Sequence, residues 1–320
     1  MERRKALVIG INDYKSSPLK CCVNDAKSVV ALLEKNEDKS PNFTVKEITE
    51  YALEEKLKCE IKELFSGTAD VALLYFSGHG SSDEHDSYIV SQDEKLISMD
   101  EILKYANNSE VRNKIIILDS CFSGGLGKIG PLNSPATVIN DGVTIMTASS
   151  ENEYSIETGD HGLFTSLLLQ ALDGYASDIM GNITPAGIYS FIDQALGAWD
   201  QRPIFKTNTK SFYFLRQTKP RVEISTLREI NNYFPYENFL FKLDPSFEDT
   251  NSKKVKHILK EPYADDENVK KFKVLQLYQK VGLVEPVGED YMYYAAMRSK
   301  SCRLTNLGKR YLKLVNEKRI

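Results

Sequence analysis

Cysteine is scarce in this sequence: five residues of 320, Cys21, Cys22, Cys59, Cys121 and Cys302, an odd number with no CxxC pair. That excludes a disulfide framework and a zinc site built on paired thiols, and makes free thiols in a reducing compartment the expectation. Tryptophan occurs once and histidine four times, so histidine chemistry has few places to sit. No apolar run approaches the roughly 18 residues that span a bilayer. The basic start, Met1 to Lys5, is followed only by Ala6 to Ile11 before Asn12 and Asp13. That stretch is too short for a secretory leader, and the expected location is cytoplasmic, away from membranes. Internal repeats and low-complexity segments are also missing, which removes solenoids and disordered linkers.

What is present is an ordinary globular composition, 42% hydrophobic and 27% charged, in a chain long enough for about two domains. Charge is unevenly spread. Residues 219–320 hold 20 Lys and Arg against 14 Asp and Glu, leaving 21 against 31 for residues 1–218, so an acidic body carries a basic C-terminal piece.

The first two thirds alternate short β-branched apolar runs with helix-period segments, which predicts an α/β domain with a mostly parallel central sheet flanked by helices. Strands are expected at Ala6–Ile11, Thr44–Tyr51, Val71–Phe76, Lys114–Asp119 and Val143–Thr147, with a short one near Phe212–Leu215. Helices are expected around Ala26–Leu33, Leu57–Leu64, Leu163–Leu172 and Pro185–Leu196, the last opened by Thr184 as N-cap with proline in the first turn. Around Thr218–Arg221 the text turns charged and Tyr-rich, which divides the chain into domains 1–217 and 218–320. In the second, Phe272–Val284 reads as a helix, Glu289–Met297 as a strand and Arg303–Leu312 as a helix.

Two of the most apolar strands end in reactive side chains. Val71–Phe76 runs into Ser77-Gly78-His79-Gly80, and Lys114–Leu118 runs into Asp119-Ser120-Cys121-Phe122-Ser123-Gly124-Gly125. Parallel strands place their carboxyl ends on one sheet edge, where such folds bind ligands. If the strands are neighbours, His79 and Cys121 share one cleft, and an imidazole beside a thiol either removes its proton or holds the thiolate as an ion pair. Gly78 and Gly80 permit a tight turn beside the histidine. The amides of Gly80 and Cys121 suit an oxyanion hole, and Gly124 and Gly125 leave room for an extended peptide. His85, His161 and His257 lack such a setting and read as surface or capping residues, while Cys59, inside an amphipathic helix, reads as core.

These segments resemble the caspase-like cysteine proteases, most of all metacaspases and bacterial caspase-like peptidases. The likeness rests on Tyr75–Gly80 followed by Asp119–Gly125, with Ala6–Asn12, Leu19–Ala26, Ile145–Ser149 and Gly162–Leu168 matching in type and order. It implies a caspase-like fold, a His79–Cys121 dyad and an acidic pocket formed by Cys22, Asp25, Ser77 and Asp119, which calls for Arg or Lys before the scissile bond. Asp25 also suits an N-cap of the helix that follows it. The pattern departs from calcium-dependent metacaspases, because Leu126–Gly130 has no carboxylate. No cofactor or metal is therefore expected, although Asp86, Asp93 and Asp100 remain available to a weakly held cation. The span from Cys121 to Val143 is short, with Lys128 its one basic residue, so the single chain is the expected active form.

Leu275–Glu285 and Leu304–Leu312 resemble a small α+β winged-helix module. Its basic residues, Arg298, Lys300, Arg303, Lys309, Arg310, Lys313, Lys318 and Arg319, run against one acid, Glu317. Such a module suits a regulatory protein partner or, through phosphates, a nucleic acid. The whole then reads as a cysteine endopeptidase acting after basic residues and targeted or regulated by its C-terminal domain. The alternative is a nucleic-acid- or partner-binding regulator on a caspase-like scaffold.

Overall fold

The computed structural model describes residues 3–83, 86–120, 138–148, 157–158, 160–197, 202–252 and 259–320. The chain divides into two units, Met1–Lys219 and Pro220–Ile320.

The first unit is built on a six-stranded sheet of β1 (Arg4–Gly10), β2 (Thr44–Ile48), β3 (Val71–Ser77), β4 (Asn113–Asp119), β5 (Val143–Thr147) and β6 (Ile204–Thr207), in the order β2-β1-β3-β4-β5-β6. All neighbours are parallel except β6, which runs antiparallel to β5. β3 is buried along its whole length. Strands covered on both faces read as continuous apolar runs, which is why β3 and β4 stand out in the sequence. β6 does not stand out, because its four residues are half-buried or exposed and show no alternation. The strand expected near Phe212–Leu215 is instead the two-residue segment Arg216–Gln217, paired with Asn182–Ile183 outside the main sheet.

Side chains alternate across the sheet and feed two cores. Leu7, Ile9, Leu74, Phe76, Ile116 and Leu118 pack with Leu57 and Ile61 of α2 (Glu54–Leu64) and Ile102 and Leu103 of α3 (Met99–Asn107). Ala6, Val8, Leu73, Tyr75, Ile115 and Ile117 pack with Ala26, Val29 and Leu33 of α1 (Cys22–Leu33), and with residues of α4 (Leu163–Gln170) and α5 (Pro185–Ala195). The result is a doubly covered α/β sheet. α4 runs into a π-helical turn, Ala171–Tyr175. α5 starts where Thr184 accepts a hydrogen bond from the Gly187 amide, with Pro185 in the first turn.

In the second unit, β7 (Phe241–Lys242), β8 (Val284–Val287) and β9 (Ser301–Leu304) form an antiparallel sheet in the order β7-β9-β8. It is accompanied by α6 (Ile224–Arg228), α7 (Ile230–Tyr233), α8 (Asp266–Lys280), α9 (Met292–Met297) and α10 (Asn306–Asn316). Edge-to-face rings of Phe241, Phe247 and Phe272 fill its centre. The strand expected over Glu289–Met297 is helix α9: Met292, Ala295 and Ala296 are buried at helical spacing, while Tyr291, Tyr293 and Tyr294 stay exposed. Arg303 and Leu304 belong to β9, and α10 begins only after Thr305, whose hydroxyl caps the Gly308 amide at 3.1 Å. Among the described residues, no helix is long and apolar enough to cross a membrane.

Candidate active site

Strand register sets the site. Gly10 of β1, Ser77 of β3 and Asp119 of β4 are cross-strand partners in one row at the carboxyl ends. His79 follows Ser77 by two residues, as Cys121 follows Asp119. Cys121, Gly124, Gly125, Lys128 and the loop Leu126–Gly130 lie outside the described residues, as do His85 and His257.

His79 is held from three sides. Its Nε2 lies 2.7 Å from the Ser17 carbonyl oxygen. A carbonyl only accepts, so Nε2 donates to it, which leaves Nδ1 as the ring nitrogen not engaged by this contact. The His79 amide donates to the Tyr14 hydroxyl at 3.0 Å, and that hydroxyl donates to the Val90 carbonyl at 3.0 Å. The two rings stand 4.5 Å apart. A Cβ on Gly78 would sit 2.6 Å from the Tyr14 hydroxyl, so only glycine allows this approach. Gly80 opens a short strand, Gly80–Ser82, paired with Ser87–Val90.

Beside the histidine, the start of α1 brings Cys22 and Asp25 against Ser77, and all three are buried. The Ser77 hydroxyl donates to Asp25 Oδ2 at 3.3 Å. Burial pushes the Cys22 thiol up to about 12, so it stays protonated. Burial also raises the Asp25 carboxyl, opposed by hydrogen bonds from His161, Ser77 and the Gly162 amide. These partners show that Asp25 is not the N-cap of its helix. α1 starts earlier, at Cys22, and the Asp25 carboxylate points to the α4 side.

Asp119 meets the other end of the same segment. Thr165 donates its hydroxyl to Asp119 Oδ2 at 2.5 Å, and Tyr75 lies 2.6 Å from that hydroxyl. Gly162 stands at the N-terminus of α4 with no side chain to cap it, and Asp119 reaches the first turn from β4 through the Thr165 hydroxyl. Burial nevertheless raises Asp119 to about 6, the Thr165 hydrogen bond opposing and the Asp25 charge adding.

His161 corrects the expectation of a surface or capping residue. Its Nδ1 lies 2.7 Å from Asp25 Oδ1, with 25% of the side chain exposed against 2% for Asp25. The contact joins positions 136 apart, so no local pattern announces it. Cys59 is the reverse case: expected in the core, it is exposed, because the buried stripe of α2 runs through Leu57, Ile61 and Leu64. Of the loop acids, Asp86 accepts from the Ser98 hydroxyl and the Ser87 amide, and Asp93 pairs with Lys95 at 3.3 Å. Among the described residues, no cluster of His, Cys, Asp and Glu is arranged to hold a metal.

The sequence model of the caspase domain matches residues 3–213 of the chain. The chain belongs to the caspase domain family. Members of this family are cysteine peptidases, and the doubly covered sheet is the caspase fold. Among solved structures, this caspase-domain protein is similar to protein GSU0716 from Geobacter sulfurreducens, at 18% identity and a TM-score of 0.51, covering 68% of this chain and 98% of that one. It is also similar to pro-sf-caspase-1, at 13% identity and a TM-score of 0.46, covering 68% and 90%. At such identities the likeness concerns the fold alone. No curated protein matches the chain.

Proposed function

We propose that this caspase-domain chain is a cysteine endopeptidase that cleaves after Arg or Lys. The observation that carries it is the pair of carboxylates, Asp25 and Asp119, set beside the row that leads to His79 and Cys121. Among the described residues neither carboxylate pairs with a lysine or arginine. Two such groups in a recess are compensated by an incoming guanidinium or ammonium, through charge-assisted hydrogen bonds. An acidic side chain would be repelled.

In this mechanism His79 Nδ1 takes the Cys121 proton and the thiolate attacks the scissile carbonyl. Amides of Gly80 and Cys121 receive the developing oxyanion. The imidazolium then protonates the leaving amine, and water, activated by the same His79, releases the acyl group from sulfur. Cys22 and Ser77 line the basic-residue pocket as neutral groups. No cofactor or metal takes part. Fluorogenic peptides that vary the residue before the scissile bond test the proposal. Wild type should cleave after Arg and Lys and Cys121→Ala after nothing; preferred cleavage after Asp contradicts it.

The second unit is proposed as a winged-helix-like regulatory or docking domain that meets a protein partner. Its basic residues are less free than their sequence suggests. Arg298 pairs with Glu289 at 2.8 Å and stacks on Tyr294 at 4.9 Å, and Arg303 pairs with Glu285 at 2.8 Å. Paired arginines beside exposed tyrosines suit a protein surface better than a phosphate backbone. Binding to nucleic acid would instead weaken steeply between about 50 and 200 mM salt, which is the measurement that separates the two.

A further inference from the structure

We infer that His161 determines the pocket's preference for a basic side chain by holding Asp25 in the orientation that receives it. The inference rests on the proposal that Asp25 and Asp119 are the receiving carboxylates. A carboxylate cannot donate while ionised, so the 2.7 Å contact has His161 Nδ1–H donating to Asp25 Oδ1. That leaves Oδ2 facing the other way. Oδ2 takes the Ser77 hydroxyl at 3.3 Å and lies 3.8 Å from the position a Gly162 Cβ would occupy, the same point that is 3.4 Å from Asp119 Oδ2.

The two oxygens of Asp25 therefore have separate tasks, one anchored outward and one turned toward Asp119. The terminal torsion of an aspartate is broad, so partners rather than rotamer preference fix the plane of the carboxylate. His161 is itself well anchored. Its backbone pairs with Thr158, and the preceding carbonyl, of Asp160, accepts from Asn24 Nδ2 of α1 at 2.9 Å. A planar guanidinium needs acceptors in a set geometry, and a rotated Asp25 spoils the match while leaving a neutral side chain indifferent.

The test uses the full chain and two matched peptides, one with Arg and one with its neutral isostere citrulline before the scissile bond. Wild type should favour Arg. His161→Ala should lose about tenfold or more of kcat/KM on Arg, through KM, while citrulline changes by less than about threefold. His161→Asn, whose side-chain amide nitrogen overlays Nδ1, should keep most of the Arg preference. His161→Gln, whose amide extends further, should not; this pair carries the test if the alanine variant fails to fold. An unchanged Arg-to-citrulline ratio in both the Ala and Gln variants, an equal loss on both peptides, or an Asn variant no better than the others overturns the role of His161. If wild type itself fails to favour Arg over citrulline, or cleaves neither, the pocket proposal fails and this inference with it.

Discussion

Asp25 and Asp119 arise 94 positions apart, on α1 and β4. Both turn an Oδ2 atom toward one glycine: a Cβ on Gly162 would lie 3.8 Å from the first and 3.4 Å from the second. One short segment thus buttresses both carboxylates, His161 at Asp25 and Thr165 at Asp119.

Gly162→Ala should fold, because its φ of -66° is open to any residue and both new contacts are ordinary van der Waals distances. The methyl group should nevertheless stand where a basic side chain reaches the carboxylates. We expect kcat/KM on Arg peptides to fall by roughly tenfold or more with the melting temperature nearly unchanged. Full retention of Arg cleavage would place the substrate side chain elsewhere.

The pH dependence follows from Asp119, which burial raises from the ordinary 3.8 to about 6. Between those values the folded protein holds a proton that the unfolded chain has released. Asp119 therefore contributes stability at acid pH that is lost as pH rises through about 6. Urea midpoints of wild type against Asp119→Asn should show this slope in wild type only. The catalytic trend runs oppositely, since Asp119 gains its charge as pH rises through about 6. The Arg-to-citrulline ratio of kcat/KM should climb through that pH and stay flat in Asp119→Asn.

Much of this was legible in the chain because buried parallel strands write themselves as unbroken apolar runs. β3 and β4 end at Ser77 and Asp119, and the residues two beyond each stand out for that reason. Asp25 was legible by its place in the motif around Cys22. β6 was not, since a short, half-exposed edge strand has neither an apolar run nor a strict alternation. Helix α9 was misread because its tyrosines suggest a strand, whereas Met292, Ala295 and Ala296 supply the buried face. His161 gave no signal at all, its meaning depending on a partner brought up only by the packing of α4 on α1.

Tyr14→Phe keeps the ring beside His79 but removes the hydroxyl that accepts from the His79 amide and donates to Val90. Two backbone groups lose a partner in a part-buried place, at a cost of about 1–3 kcal/mol. We expect a melting temperature lower by a few degrees and a reduced kcat with KM little changed. An unchanged kcat would show that Tyr14 does not orient the histidine.

Thiol reactivity should rank the cysteines. Cys22 and Cys302 are buried, and burial pushes both thiols up to about 12, so iodoacetamide should reach them only after denaturation. Cys59 is exposed and should label slowly at neutral pH. Cys121, activated by His79, should label first, and His79→Ala should remove its lead. Peptide mapping of the alkylated protein reads the order; Cys59 ahead of Cys121 in wild type contradicts the dyad.

The most direct measurement is the intact mass of the full chain after treatment with a peptidyl-arginine acyloxymethyl ketone and, separately, its aspartate counterpart. The arginine reagent should add once, at Cys121, with no adduct in Cys121→Ala or His79→Ala, and the aspartate reagent should leave wild type unmodified. An adduct formed preferentially by the aspartate reagent, or an arginine adduct that persists in Cys121→Ala, would contradict a cysteine peptidase with an acidic pocket.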